Sequence, residues 1–147
     1  MNIADALKKV ERELPRILED YAKVSQTDML TEIDLNFDKP SLGELYRNPS
    51  TKASLKPNTG KRLRLVTGNL IASYNPRDKN TASKVDVSNY VMTEVYGSLL
   101  KYAKVHETGD ENIPKRPYLA PAIKAHSEES DERIQKYILD EIIKIFK

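Results

Sequence analysis

The chain has 147 residues, no cysteine, two histidines and a net charge of +2, a length that suits one domain around a single core. Apolar residues make up 39% and charged residues 31%, against about 45–50% and about 25% in an average globular protein, so the core is expected to be thin or to be completed by partners. Without thiols there is no disulfide framework or thiolate metal site, two imidazoles are too few for a typical zinc cage, and no apolar run approaches the roughly 18 residues of a membrane span or opens as a secretory signal, so the chain is expected to be soluble and not exported by that route.

From Ile3 to Val24 the apolar residues Ile3, Leu7, Val10, Leu14, Ile17, Leu18, Tyr21 and Val24 recur at steps of three and four, which predicts an amphipathic helix about 33 Å long, kinked or split at Pro15. Its polar face mixes Glu11, Glu13, Glu19 and Asp20 with lysines, which favours packing on a sheet over lying on a membrane. Residues 38–60 carry Pro40, Gly43, Pro49, Pro57 and Gly60 among Ser, Thr and Asn, the composition of a long loop. Thr67 is placed to cap a short helix that follows. Lys84–Ser88 and Val91–Tyr96 alternate at period two around Asn89-Tyr90 and predict an antiparallel hairpin with one face buried, ended by Gly97. An apolar cluster, Leu99 to Val105, precedes a turn-rich stretch from His106 to Asn112. Prolines at 114 and 117 hold the next segment extended, and Pro121 suits the first turn of a helix over 120–146, with a polar middle turn at 127–133 that is expected to project or be solvated. The organisation expected is therefore a single domain, with a sheet region over 62–119 between the two helices.

The small net charge hides an asymmetry: residues 1–46 sum to −4, residues 47–84 to +8 and residues 85–147 to −2. The basic island includes Arg47, Lys52, Lys56, Lys61, Arg62 and Arg64, and it suits either phosphates or an acidic protein surface. With Tyr74 as its only aromatic residue, it offers little for base stacking. Three constellations resemble chemistry without completing it. His106-Glu107 are neighbours that would point apart in a strand or loop, and His126 is the only other imidazole. Glu128, Glu129, Asp131 and Glu132 would spread around a helix as a solvated face. Lys56 to Lys61 lacks the first glycine and the following Ser/Thr of a phosphate loop. No catalytic, cofactor-binding or metal-ligating set is therefore assigned, and no enzyme activity is expected.

Three strings in the second half change the expectation. Thr67-Gly68-x-Leu70-x-x-Ser73, then Tyr102-Ala103-x-Val105-His106-Glu107-x-Gly109, then Ile113-Pro114-x-Arg116-Pro117-Tyr118-Leu119-x-Pro121-Ala122 follow in order. Together they resemble the tail-completion and head-to-tail joining proteins of tailed bacteriophages, including the Mu-like virion morphogenesis family. The likeness spans roughly residues 62–125, with Thr108 standing where the family often has an aromatic residue, and residues 38–60 do not align. The resemblance implies a small α+β protein, with an antiparallel sheet flanked by a long N-terminal and a C-terminal helix. It also implies a virion location, in a ring, of six copies, at the neck or upper end of the tail.

In that setting Tyr102, Val105, His106, Glu107, Arg116, Pro117, Tyr118 and Leu119 are candidates for contacts between subunits or with neck, connector or tail-tube proteins. Arg116 presents a planar fork suited to a carboxylate. The equal alternative is that Arg-Pro-Tyr-Leu pins the last helix within its own subunit. Arg47, Lys52, Lys56, Lys61, Arg62 and Arg64 would face packaged DNA or an acidic partner. Two other readings remain at this stage, a DNA-binding module using the basic island and a hydrolase acting through His106 and Glu107.

Overall fold

The computed structural model describes residues 2–38, 63–64 and 69–147, and of Asp38, Leu63 and Arg64 only the backbone. The expected 38–60 loop after Asp38, Thr67 with Gly68, and the basic residues Arg47, Lys52, Lys56, Lys61 and Arg62 lie outside the described residues.

Helix α1 spans Ile3–Leu35, about 50 Å at 1.5 Å per residue. Asn2 starts it, its side-chain oxygen accepting from the Asp5 backbone N–H at 2.8 Å, which satisfies one of the unpaired donors of the first turn. The helix is not split at Pro15, and it continues eleven residues past Val24. Pro15 is exposed, so the carbonyl deprived of a donor meets water instead of the core, the arrangement in which a helix tolerates an interior proline. The extension follows a four-residue step from Tyr21 through Ser25 and Met29 to Ile33, all buried.

Two short strands, β1 (Phe37–Asp38) and β2 (Leu63–Arg64), pair in parallel, and helix α2 spans Asn69–Ala72. Strands β3 (Lys84–Ser88) and β4 (Val91–Val95) form the expected antiparallel hairpin, pairing Lys84 with Val95 and Ser88 with Val91. Val85, Val87, Met92 and Glu94 occupy its half-buried face, and Lys84, Asp86, Ser88, Val91, Thr93 and Val95 its exposed one. Gly97 receives the chain just beyond: its carbonyl accepts from the Ala82 N–H at 2.9 Å, and a Cβ there would sit 3.2 Å from that of Ala82.

The expected sheet region over 62–119 is corrected at its second half. Lys101–Thr108 is a helix, α3, so Tyr102, Val105, His106 and Glu107 lie on a helix and not in a sheet or turn. Helix α4 spans Leu119–Phe146, with Pro121 in its first turn as expected. It runs antiparallel to α1, with Tyr21 against Tyr137 at 5.3 Å between ring centres and Ser25 against His126. Its polar middle does not project. Glu128, Glu129, Asp131 and Glu132 are exposed, while the Ser130 carbonyl accepts from the Tyr21 hydroxyl and Arg133 reaches Asp28 at 3.4 Å. The architecture is α+β, a long N-terminal helix and a C-terminal helix flanking a two-stranded antiparallel sheet.

The core is thin, as the composition predicts. Its main cluster joins Met29, Ile33, Phe37, Leu70, Tyr74, Ala103, Tyr118 and Ala122, where α1, α2, α3 and the start of α4 meet. Away from it, Ile3 and Leu7 at one end of α1 and Leu139 and Phe146 at the end of α4 stay more than half exposed. No helix among the described residues is long and apolar enough to cross a membrane.

Candidate functional site

Two arrangements hold the distinctive side chains. In the first, the three sequence strings close on one another. Leu70 and Ser73 come from the first string; Leu70 enters the core, and the Ser73 hydroxyl donates to the Leu70 carbonyl at 2.7 Å and shares a 2.6 Å hydrogen bond with the Ser98 hydroxyl. Tyr74, which follows, shares a 2.8 Å hydrogen bond between hydroxyls with Tyr118. The Tyr118 hydroxyl also donates to the Ala103 carbonyl at 3.1 Å, and its ring lies 5.0 Å from that of Phe37. Burial pushes the Tyr118 hydroxyl well above the ordinary tyrosine range, so it remains a donor.

Glu107 then ties the second string to the third. Its Oε2 accepts from the backbone N–H groups of Tyr118 at 3.0 Å and Leu119 at 3.1 Å, and its Oε1 from Ala120 at 2.9 Å. The first residues of α4 receive no cap from the Tyr118 side chain; a carboxylate from a separate helix serves instead, satisfying three open donors and opposing the positive end of the dipole. The intervening turn is tight. Gly109 has φ +77, and a Cβ there would lie 3.0 Å from the Lys115 nitrogen, while the Arg116 N–H donates to the His106 carbonyl at 2.9 Å. Only glycine combines that backbone with that approach.

Of the sequence candidates, Tyr118 is fully buried within the chain, the placement that the alternative of pinning the last helix internally expects. Val105, His106, Glu107, Arg116, Pro117 and Leu119 are half-buried, and Tyr102 is exposed on α3. With both carboxylate oxygens held by α4, Glu107 is not poised as a base. His106 sits 6.0 Å from the Tyr102 ring, and burial together with the Arg116 charge holds its imidazole below the ordinary value.

The second arrangement was not anticipated from the sequence. Ser25 on α1, Glu94 on β4 and His126 on α4 meet between the elements: His126 Nε2 is 3.0 Å from Ser25 Oγ and 3.2 Å from Glu94 Oε2. The other ring nitrogen, Nδ1, faces Arg133 Nη2 at 3.5 Å. Arginine only donates, so Nδ1 is the acceptor in this contact. Burial raises the Glu94 pKa, but hydrogen bonds from His126, Ser25 and Tyr96 together with the nearby imidazole outweigh it and hold the carboxyl below its usual range. This is not a nucleophilic triad. Serine and carboxylate share one nitrogen instead of flanking the ring, and Ser25 is 1% exposed. Two signals in the sequence pointed to it: Glu94 occupies the inward phase of its strand between Met92 and Tyr96, and an inward carboxylate requires a partner.

Beside this network an open groove of about 580 Å³ runs between the hairpin and α4, lined by Tyr90, Val91, Met92, Tyr96, Ile123 and Ile134 among others. Comparison with protein families, with curated proteins and with solved structures finds no match to the chain.

Proposed function

We propose that the chain is a non-enzymatic structural component of a tailed-phage virion, a ring-forming tail-completion, tail-terminator or head-tail joining protein at the neck, acting with copies of itself and with connector or tail-tube proteins. What carries the reading is the mutual closure of the three strings behind the resemblance. Leu70 of the first string packs in one core with Ala103 and Tyr118 of the other two, Tyr74 just after it bonds Tyr118, and Ala103 and Glu107 bond Tyr118 and Leu119, as expected of motifs that specify a scaffold and not a reaction. The thin core and the apolar ends of α1 and α4 fit a subunit whose burial is completed on assembly. In this reading Tyr102 on α3 remains available to a neighbour, and residues 47–64 meet either exiting DNA or an acidic protein surface. Charge reversal of Lys52, Lys56 and Lys61 separates these, since DNA loss from assembled particles identifies the first and failed docking the second.

The test is quantitative mass spectrometry of purified virions. The reading predicts this chain in the particle at a few copies, in a fixed ratio to the neck proteins. Its absence from infectious particles would overturn it. The net charge of +8 over residues 47–84 favours a second reading, a DNA-binding module. That reading requires salt-dependent duplex binding by the isolated chain, and no binding at low salt would remove it.

A further inference from the structure

The turn of the β3–β4 hairpin consists of Asn89 and Tyr90, both at positive φ, 50° and 62°. Two-residue hairpin turns of this hand favour asparagine followed by glycine. Asparagine tolerates the left-handed region; a tyrosine there is strained, and such strain persists where the surroundings or a function require the residue. Burial does not explain the ring, since Tyr90 is 56% exposed. It stands instead at the wall of the groove between the hairpin and α4.

The groove has a definite chemistry. Tyr96, Met92, Ile123 and Ile134 give it apolar and aromatic walls, and Glu94 lies in it beneath them. The Glu94 side chain keeps 15% of its surface exposed; Oε2 meets His126, and Oε1 accepts a long 3.4 Å bond from the Tyr96 hydroxyl. Asp131 adds a second carboxylate to the lining, and among the described residues no lysine or arginine lines it. Exposed Glu132 follows Asp131 on the same helix, while Glu128 pairs with Lys124 at 3.8 Å.

We propose that this groove is a docking site for a protein segment that inserts an arginine or lysine side chain between apolar neighbours. The charged head is drawn to Glu94 and Asp131, and the tyrosine faces attract a cation as well. The alkyl stem and the flanking apolar residues cover Met92, Ile123 and Ile134. A volume of about 580 Å³ lies within the range of binding pockets and holds a few side chains. The inference concerns this surface alone and stands whichever assembly the chain joins.

The test uses the full chain and two peptides, acetyl-Leu-Arg-Leu-Arg-Leu-amide and the same sequence with glutamine for arginine, titrated while amide chemical shifts are followed. The arginine peptide is expected to shift Tyr90, Glu94, Tyr96 and Ile123 saturably, and the glutamine peptide to bind at least tenfold more weakly. Tyr90→Gly is the informative variant: it should raise the melting temperature by relieving the turn while weakening the arginine peptide at least fivefold. Asp131→Asn should weaken it with the melting temperature unchanged. Equal binding of the two peptides, shifts confined to other surfaces, no binding, or full affinity in Tyr90→Gly would each overturn the proposal. So would concentration-dependent shifts of the same residues without peptide, which would identify a second copy as the occupant.

Discussion

Glu107 is a single carboxylate that holds three backbone donors at the start of a 28-residue helix. Glu107→Ala is expected to destabilise the fold by about 1–2 kcal/mol in urea unfolding, the range of a lost cap with its charge–dipole term, and Glu107→Gln by less, since an amide oxygen still accepts. Tyr118→Phe removes the hydroxyl from both Tyr74 and Ala103; the loss expected is about 1–2 kcal/mol, because two buried groups lose their partner. Beside the surface carboxylate Asp20, acidification acts through two half-buried groups among the described residues whose folded pKa lies below the unfolded one. His106 is held below its ordinary 6.5 and Glu94 below its ordinary 4.5. In each case the unfolded chain binds the proton more readily, so stability is complete above the ordinary value and is lost as pH falls through the folded one. Stability should decline first below about pH 6.5 and again below about pH 4.5, and His106→Gln should remove the first decline while leaving the second in a pH series of thermal melts.

Among the elements, α1 carries the clearest prediction. Its interior proline lacks a donor and faces solvent, so Pro15→Ala should raise stability by roughly 1–3 kcal/mol and increase helicity; a loss of stability would mean that the proline shapes the packing of α1 on α4. The hairpin was legible because alternation has a period that no other element shares, and its boundaries follow Asn89-Tyr90 directly. The far half of α1 was not, because Ser25 reads as polar although it continues the four-residue step from Tyr21 to Met29, and its hydroxyl meets His126, a hundred residues away in sequence. Helix α3 was missed for a related reason. Only Ala103 is buried in it, so its apolar residues carry no clean helical face, and the tie that holds it in place, Glu107 to α4, lies outside any local window.

At the scale of the whole molecule, the segments that the sequence marked as belonging together do so in space, while the groove walls come from Tyr90 to Tyr96 and Ile123 to Ile134, which no local pattern connects. The apolar ends of α1 and α4 and the exposed outer face of the hairpin leave the chain with surface to bury, a property that the proposed ring component would need. The proposed structural role at the head-tail junction is tested most directly by electron microscopy of tailed-phage particles made with this gene disabled. DNA-filled heads beside separate or overlong tails are the predicted result, with tail length distinguishing joining from termination. Normal, infectious virions would contradict the account.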